Sequence, residues 1–403
     1  MYDIVIIGGG AAGLYCALQL SKKNKILLLD EREYLGGRIH THKNPQYEIG
    51  AARYHKKQPL LCNLIKKYKL DSFELSDEVD YLDKKHGYLP AGKDFFHNVI
   101  KDILNKSKSL SKSYLQNITF KELCEKYYNK QDVSFIINVF GYRCEFMQLS
   151  AYEGVNTFSR DFISNKYYIL NQGFSILCNK MKHSIIQNNG SILLKKCVTN
   201  VTHCNDSFSI EVNNKHLYKS NKVIFAIKPH QMRGFSILRH VHHNLKSVFP
   251  GKLLRIYAIF PKLNGKVWFN DLNRTTTNSF IRHIIPISKE SGLIMISYTD
   301  GSDVTPFLKS TYVLKDSNII EKMVIKEVRS LFMDLNIPNP TYFKCHFWSH
   351  GAHFWKVGYD SDKIIKEMIN PVKNIYTCGE GFSKKQAWIE GALESAQLVI
   401  NKI

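Results

Sequence analysis

Three glycines and one acid near the start of the chain have the types and spacing of a dinucleotide-binding site. A β-branched run ends at Gly8, and Gly8, Gly10 and Gly13 fill a G-x-G-x-x-G pattern. Gly8 permits a tight turn, Gly10 lets the backbone approach a pyrophosphate, and Gly13 lets the next helix lie close to the strand. A second apolar strand ends at Asp30, whose carboxylate can accept hydrogen bonds from both ribose hydroxyls. These residues predict dinucleotide binding and leave NAD and FAD open.

A second glycine pair indicates which dinucleotide is bound. Gly36, Gly37 and Arg38 follow the second strand; adjacent glycines let the backbone touch a cofactor, and the guanidinium can offset phosphate charge. With this element the stretch resembles the start of the flavin-containing amine oxidases, whose strand acid lies six residues before the glycine pair, as Asp30 does. Glu31 competes for that role, but adjacent side chains point to opposite faces of a strand. The resemblance implies FAD.

A block near residue 380 carries the same resemblance. A strand ends at Gly379-Glu380, and Trp388, Gly391 and Ala392 follow at the family's spacing. The resemblance implies that the G-E pair holds the flavin ribityl and pyrophosphate. It also implies that the next helix directs its N-terminus at the flavin, where the helix dipole stabilises negative charge on the reduced ring. Trp388 matches an aromatic-cage position, whose ring face can hold an amine; alternatively, it is a core residue of that helix.

Three further residues are candidates for contact with a substrate. Arg53 matches the arginine with which L-amino-acid oxidases bind the substrate carboxylate; alternatively, it is a structural residue that packs on the cofactor loop. Lys289 precedes an apolar strand and matches a lysine that holds a water against flavin N5 in many amine oxidases. The alternative for Lys289 is a turn lysine that faces solvent. In a region rich in aromatic residues, Phe354 or Trp355 is expected to wall the substrate site.

The resemblance assigns the cofactor contacts to a defined set of positions. They are Gly8, Gly10, Ala12, Gly13, Asp30, Glu31, Gly36, Gly37, Arg38, Gly50, Ala51, Arg53, Val198, Gly379, Glu380, Trp388, Ile389 and Ala392. Monoamine oxidases carry a flavin-linking cysteine in the region of residues 348–359, and this chain has none there, so we expect non-covalent FAD. The cysteines and histidines lack metal-ligand spacing, so no metal site is expected.

The expected fold class is α/β, with two domains. A Rossmann-like FAD-binding domain, discontinuous in sequence, is interrupted twice by a substrate domain made of a mixed sheet plus helices. We assign residues 1–75, 171–235 and 345–403 to the FAD-binding domain, and 76–170 and 236–344 to the substrate-binding domain. Residues 222–229 are predicted to form a buried strand that ends at a proline and serves only as cofactor scaffold.

Charge and composition narrow the expected partners and location. The net charge is +21, but the lysines spread along the whole chain and no nucleic-acid-binding motif accompanies them, so we expect no specific nucleic-acid partner. The nine scattered cysteines predict free thiols in a reducing compartment. No apolar run approaches the length of a membrane span, which predicts a soluble cytoplasmic protein without a transmembrane anchor. The bias toward Lys, Asn, Ile and Tyr is typical of AT-rich genomes, so a virion is a second expected location if the source is a virus.

The resemblance implies an FAD-dependent oxidoreductase whose substrate is a small-molecule amine or amino acid. A hydride would pass from the amine α carbon to flavin N5, the imine would hydrolyse to an aldehyde or keto product, and O₂ would be reduced to H₂O₂. Three alternatives stay open. They are an L-amino-acid oxidase that uses Arg53, a non-amine flavin oxidoreductase of the protoporphyrinogen oxidase or desaturase type, and a catalytically silent FAD-binding structural protein.

Overall fold

A computed structural model describes residues 1–89, 92–162 and 166–403 of the 403-residue chain. The chain divides into two compact units. Unit 1 consists of residues 1–75, 165–249 and 359–403, and unit 2 of residues 76–164 and 250–358. The predicted class, α/β with a discontinuous Rossmann-like part and a mixed sheet with helices, is confirmed.

The described residues form the following strands and helices. The strands are β1 Tyr2–Ile7, β2 Ile26–Leu29, β3 Thr41–Lys43, β4 Gln46–Glu48, β5 Tyr54–His55, β6 Ser72–Glu74, β7 Val79–Asp83, β8 Gly87–Tyr88, β9 Tyr167–Leu170, β10 Ser191–Leu193, β11 Val198–Cys204, β12 Ser207–Val212, β13 His216–Phe225, β14 Val248–Ile259, β15 Arg274–Thr277, β16 His283–Ser288, β17 Leu293–Asp300, β18 Leu308–Ser310, β19 Val313–Leu314, β20 Tyr342–Trp355 and β21 Ile375–Thr377. The α-helices are α1 Ala11–Leu20, α2 Pro59–Lys67, α3 Gly92–Ser107, α4 Lys112–Gln116, α5 Phe120–Glu125, α6 Lys130–Phe140, α7 Cys144–Met147, α8 Ala151–Thr157, α9 Ser175–Gln187, α10 Pro229–Met232, α11 His242–Leu245, α12 Ser317–Leu331, α13 Ser361–Ile369 and α14 Ile389–Ile400.

The main sheet of unit 1 has the strand order β10-β2-β1-β13-β12-β11, and β21 also pairs with β13. Strands β10, β2, β1, β13 and β21 run parallel to one another, whereas β12 is antiparallel to β13. Their continuous apolar sequences follow from burial on both faces, and every residue of β2 is buried. Helices α1 and α14 pack together in the core on one face. The carboxyl ends of β1, β2, β13 and β21 therefore meet at one edge, where Gly8, Asp30, Ala226 and Cys378 follow the strands.

Unit 2 is built on a mixed sheet of order β20-β14-β17-β16-β15-β7-β8, in which β15 and β7 are parallel. Helix α12 buries Ile320, Val324 and Val328, spaced four residues apart, in the core formed with this sheet. Helices α3 to α8 form a second core rich in phenylalanine. Helix α5 starts with a capping box between Thr119 and Glu122, which satisfies the first backbone amides.

The bounds of the units differ from the predicted domain bounds. Residues 345–358, assigned from sequence to the FAD-binding domain, lie in unit 2 because β20 pairs with β14. Residues 236–249 lie in unit 1, where Arg233 donates a hydrogen bond to the carbonyl of Leu245. Residues 166–170 also belong to unit 1, because β9 pairs with β5 and β6. Trp355 is thereby placed in unit 2.

Candidate functional site

The turn between β1 and α1 requires glycine at two positions. Gly8 has a φ of +104°, and a Cβ there would lie 2.6 Å from the carbonyl oxygen of Ala226. A Cβ on Gly13 would lie 1.9 Å from the carbonyl oxygen of Gly8. These two glycines let α1 pack directly against the end of β1.

Gly10 has no such requirement, and Gly379 has one only in its backbone, whose φ is +140°. The φ of Gly10 is −74°, which other residues adopt freely, and the nearest atom to a Cβ there would be the Gly36 carbonyl oxygen at 4.0 Å. For Gly379 the nearest atom would be the carbonyl oxygen of Ile227, also at 4.0 Å. Open space beside both glycines, at the carboxyl edge of a parallel sheet and before the N-terminus of α1, matches what a pyrophosphate needs. The residues present therefore fit a dinucleotide.

Asp30 follows β2 and carries a buried carboxylate held by two backbone amides. The amide of Gly9 donates to Oδ2 at 2.6 Å, and that of Arg32 donates to Oδ1 at 2.8 Å. Burial raises the pKa of Asp30, and these two hydrogen bonds act against that shift. Each carboxylate oxygen can accept a further hydrogen bond, as a ribose hydroxyl would require. The neighbouring Glu31 is exposed and accepts a long hydrogen bond of 3.4 Å from Gln231.

The second glycine pair is fastened to the first glycine turn. The amide of Gly36 donates to the carbonyl of Gly9 at 2.8 Å, and a Cβ on Gly37 would lie 3.3 Å from the Cα of Gly10. Arg38 follows, and its Nη1 lies 2.5 Å from Oε1 of Glu380. An ion pair thus joins two motifs that are 342 positions apart in sequence.

Gly50 and Ala51 pack on the Arg38 loop. A Cβ on Gly50 would lie 1.8 Å from the Arg38 carbonyl oxygen, and the amide of Ala51 donates to the same oxygen at 2.9 Å. The structure therefore gives Gly50 a packing requirement of its own, beside the close approach to a flavin ring expected from the sequence.

Helix α14 is anchored at its start to two other parts of unit 1. The carboxylate of Glu390 is fully buried and accepts hydrogen bonds from the amides of Leu60 and Leu61, at 3.0 and 2.8 Å. It therefore satisfies two of the amides at the N-terminus of α2 that have no partner within the helix. The amide of Gly379 donates to Oγ of Ser395 at 2.8 Å. The G-E turn and the starts of α2 and α14 are thereby held together.

Trp388 and Arg53 lie in one aromatic group of unit 1. The rings of Trp388 and Tyr167 are parallel, with an interplanar angle of 4° and centroids 6.1 Å apart. The Arg53 guanidinium carbon lies 4.6 Å from the Tyr167 centroid and 6.0 Å from that of Trp388. The ring of His55, which is buried, meets Trp388 edge-on at 5.2 Å. Trp388, which the sequence links to an amine, and Arg53, which it links to a substrate carboxylate, therefore lie in the same group.

The other predicted residues are less informative about a site. Ala12, Ile389 and Ala392 are buried in α1 and at the start of α14, while Val198 is half-buried on β11 opposite Val212. Trp355 ends β20 in unit 2 with 1% of its surface exposed, and its carbonyl accepts a hydrogen bond from Ser150.

Lys289 lies in the turn between β16 and β17, and its side chain is exposed. A lysine that holds a water against a flavin must be shielded from bulk solvent, whereas an ammonium in an exposed turn is hydrated. Lys289 therefore fits the alternative, a turn lysine that faces solvent, better than the flavin-side role expected from the resemblance.

Sequence reasoning missed several residues of this region. Tyr167, which stacks on Trp388, is one of them, and His55 and Glu390 are two others. Arg32 is the clearest case, because its Nη1 donates to the carbonyl of Gly37 at 2.8 Å. The available signal was its position two residues after Asp30, within the loop that leads to the second glycine pair.

Several features of the described part of the chain bear on other ligands. Among the residues described, no group of three or more His, Cys, Asp or Glu side chains is placed to hold a metal ion. All nine cysteines are free thiols. No helix in the described ranges is both long and apolar enough to cross a membrane.

The paired glycine turns, the acid after β2 and the G-E turn define a flavin-dependent oxidoreductase. The chain belongs to the flavin containing amine oxidoreductase family, whose sequence model matches residues 11–399. It is therefore an FAD-dependent oxidoreductase of the amine oxidase family.

The relatives include enzymes that act on different amines. (S)-6-Hydroxynicotine oxidase of Paenarthrobacter nicotinovorans is 22% identical over an alignment of 452 residues, gaps included, and the alignment covers 100% of this chain and 99% of that protein. The flavin-containing amine oxidase A of Bos taurus is 32% identical over 80 residues, covering 19% of this chain and 15% of that protein. The structure of putrescine oxidase bound to putrescine shares the fold, with a TM-score of 0.79 and 15% identity over 100% of this chain and 98% of that one.

Proposed function

We propose that the protein oxidises a small-molecule amine with non-covalently bound FAD and O₂, and that unit 1 holds the cofactor while unit 2 is the substrate-binding domain. The observation that carries this proposal is the aromatic group beside the cofactor motifs, in which Trp388 and Tyr167 are parallel at 6.1 Å. Aromatic faces of this kind hold an amine in a fixed orientation. Family membership supports amine oxidation in general.

The residues of unit 1 divide the work of holding the cofactor. Gly10 and Gly379 leave room for the pyrophosphate, and Asp30 accepts from the ribose. The ion pair of Arg38 and Glu380 fixes the loop that bears the second glycine pair. The N-terminus of α14, which begins at Ile389, favours negative charge nearby. FAD, when bound, supplies the hydride acceptor and the passage of electrons to O₂.

A carboxylate-bearing amine is a second candidate substrate, and Arg53 favours it. A guanidinium 4.6 Å from the Tyr167 centroid would repel a cationic amine placed on the same ring face. Two unit charges 4 Å apart interact by about 4 kcal/mol at an effective dielectric of 20. The same guanidinium would bind a carboxylate through two parallel hydrogen bonds and so aim the α carbon. The arrangement therefore favours an α-amino acid or a neutral amine over a polyamine.

The test is anaerobic bleaching of the reconstituted holoprotein by a substrate panel, followed by H₂O₂ formation in air. The panel contains putrescine, spermine, benzylamine and a set of L-amino acids. Arg53→Met should raise KM for carboxylate-bearing substrates by about 10²-fold, the loss expected of a bidentate charged contact of about 3 kcal/mol. Arg239→Met is the matched control, because Arg239 is exposed on the surface of unit 1.

The outcomes separate the candidates. Bleaching only by amino acids, lost in Arg53→Met and retained in Arg239→Met, supports the carboxylate candidate. Bleaching by polyamines or monoamines that Arg53→Met leaves unchanged supports amine oxidation and excludes the role given to Arg53. A yellow protein that no member of the panel bleaches contradicts amine oxidation and favours a non-amine oxidoreductase or a silent FAD-binding protein.

The nine free thiols support a reducing compartment, the cytoplasm, as the location.

A further inference from the structure

Lys228 lies directly beside the glycine turns without belonging to any cofactor motif. Strand β13 is followed by Ala226 and Ile227, which lie against Gly8: a Cβ on Gly8 would come within 2.6 Å of the Ala226 oxygen and 2.9 Å of the Ile227 side chain. The carbonyl of Ile227 also faces Gly379. Lys228 is the next residue, half-buried at the carboxyl edge where β1 and β13 end together.

Two guanidinium groups accompany Lys228 at this edge. Arg32 comes from the loop after β2 and binds the carbonyl of Gly37, and Arg38 follows that glycine pair. The acidic groups nearby are Asp30, which is held by the amides of Gly9 and Arg32, Glu380, which is paired with Arg38, and Glu31, which is exposed and bonded to Gln231. Among the described residues, no carboxylate forms an ion pair with the Lys228 ammonium. Three cations therefore come from segments that meet at the edge where the glycine turns lie.

This arrangement disfavours the charged form of the lysine. Burial first, and then the charges of Arg38 and Arg32, lower the pKa of Lys228 to about 8, while Glu31 acts in the opposite direction. A polyanion bound among the three cations would reverse the effect of the two guanidinium groups, because it interacts favourably with the ammonium form. The pyrophosphate of a dinucleotide is such an anion, and the N-terminus of α1 lies at the same edge.

We propose that Lys228 binds the pyrophosphate of FAD and takes up a proton as the cofactor binds, so that this chain holds FAD less tightly in alkaline solution. The proposal rests on FAD binding and is independent of which amine is oxidised. It gives residues 222–229 a direct role in place of the scaffold function expected from sequence. Proton uptake makes cofactor affinity depend on pH through one side chain.

The first test is fluorescence titration of the apoprotein with FAD, without substrate, between pH 7 and 9.5. If binding returns the pKa of Lys228 from about 8 to its ordinary value of about 10.4, the wild-type Kd rises up to about 30-fold over this interval. Lys228→Met should bind up to about 200-fold more weakly at pH 7 and approach the wild type as the pH rises. Lys228→Arg keeps its charge and should show no such dependence. Lys219→Met, which removes an exposed lysine from the same strand, should behave as the wild type.

The second test is calorimetry at pH 8.5 in buffers of different ionisation enthalpy. Wild type and Lys219→Met should take up about 0.7 proton per FAD bound, and Lys228→Arg and Lys228→Met close to none. Thermal unfolding of each apoprotein checks folding; if Lys228→Met does not fold, the comparison of wild type with Lys228→Arg still decides. A wild-type Kd and proton uptake matching those of Lys228→Arg at every pH would overturn the proposal. So would a Lys228→Met that binds FAD at pH 7 as tightly as Lys219→Met. Amine bleaching is a separate measurement, so either proposal can fail alone.

Discussion

Alanine substitutions at two glycines of the same turn should impair different properties. Gly10→Ala should weaken FAD binding, and Gly13→Ala should lower the stability of the protein. Gly10→Ala adds a methyl group into open space, with no atom nearer than 4.0 Å and a φ of −74° that alanine adopts. Gly13→Ala places a methyl carbon 1.9 Å from the carbonyl oxygen of Gly8. The first change therefore tests the ligand space, and the second tests the packing of α1 on β1.

The magnitudes follow from these distances. For Gly10→Ala, the reduced entropy of the unfolded chain stabilises by about 0.4–1 kcal/mol, and the poorer N-cap opposes this by a similar amount. The melting temperature of the apoprotein should then stay within about 3 °C. For Gly13→Ala, overpacking against backbone costs about 3 kcal/mol, which lowers the melting temperature by about 6–12 °C in a unit of this size.

The two variants should separate further on addition of FAD. The Gly10 methyl group occupies space that the pyrophosphate needs, so the Kd for FAD should rise at least about tenfold. Circular dichroism of the apoproteins gives the stability, and quenching of FAD fluorescence gives the Kd. The reasoning is refuted if Gly10→Ala binds FAD as the wild type does, or if it destabilises the apoprotein as much as Gly13→Ala.

Two further predictions concern the buried carboxylate of Glu390 and the exposure of the thiols. Glu390→Ala should lower the free energy of unfolding by about 2–4 kcal/mol in urea titrations, because two amides of α2 lose their acceptor. The control Glu394→Ala removes only a partly exposed ion pair with Lys385, with no backbone amide losing its acceptor, and should cost less than about 1 kcal/mol; equal losses would contradict the capping role. The exposed thiol of Cys197 should react rapidly with Ellman's reagent in the native protein. The buried thiols should react only after unfolding; they belong to Cys16, Cys124, Cys144, Cys178 and Cys378. Rapid reaction of six or more of the nine thiols in the native protein would contradict the structure.

The cofactor motifs could be predicted from sequence because their chemistry is local. The glycines at 8, 10 and 13 and the acid at 30 lie within one β-α-β unit, in which α1 spans Ala11–Leu20 directly after the glycine turn. The G-E turn is likewise contained in a few residues. What spacing along the chain cannot supply is the contact of Tyr167 with Trp388, since nothing in either segment specifies the other.

Errors in the predicted elements have a similar origin. The apolar pattern of residues 279–285 is typical of one strand, but Arg282 adopts a φ of +57° and β16 starts only at His283. The Arg282 guanidinium is buried and binds the carbonyls of Ile137 and Thr277. These tertiary contacts override the apolar pattern of the segment. Residues 345–358, which the sequence assigns to the FAD-binding domain, lie in unit 2 for a similar reason, because the pairing of β20 with β14 cannot be read from the local sequence.

The ion pair between Arg38 and Glu380 has a consequence for the order of events during synthesis. Strands β1 and β2 leave the ribosome early, but β1 gains its second neighbour only when β13 has been made, and Glu380 comes some 150 residues later. At 5–20 residues per second, Arg38, which follows the second glycine pair, therefore waits on the order of 20–80 s for Glu380. A nascent chain stalled before residue 379 should retain no FAD. Binding of the cofactor would then be a late step, which follows the pairing of Glu380 with Arg38.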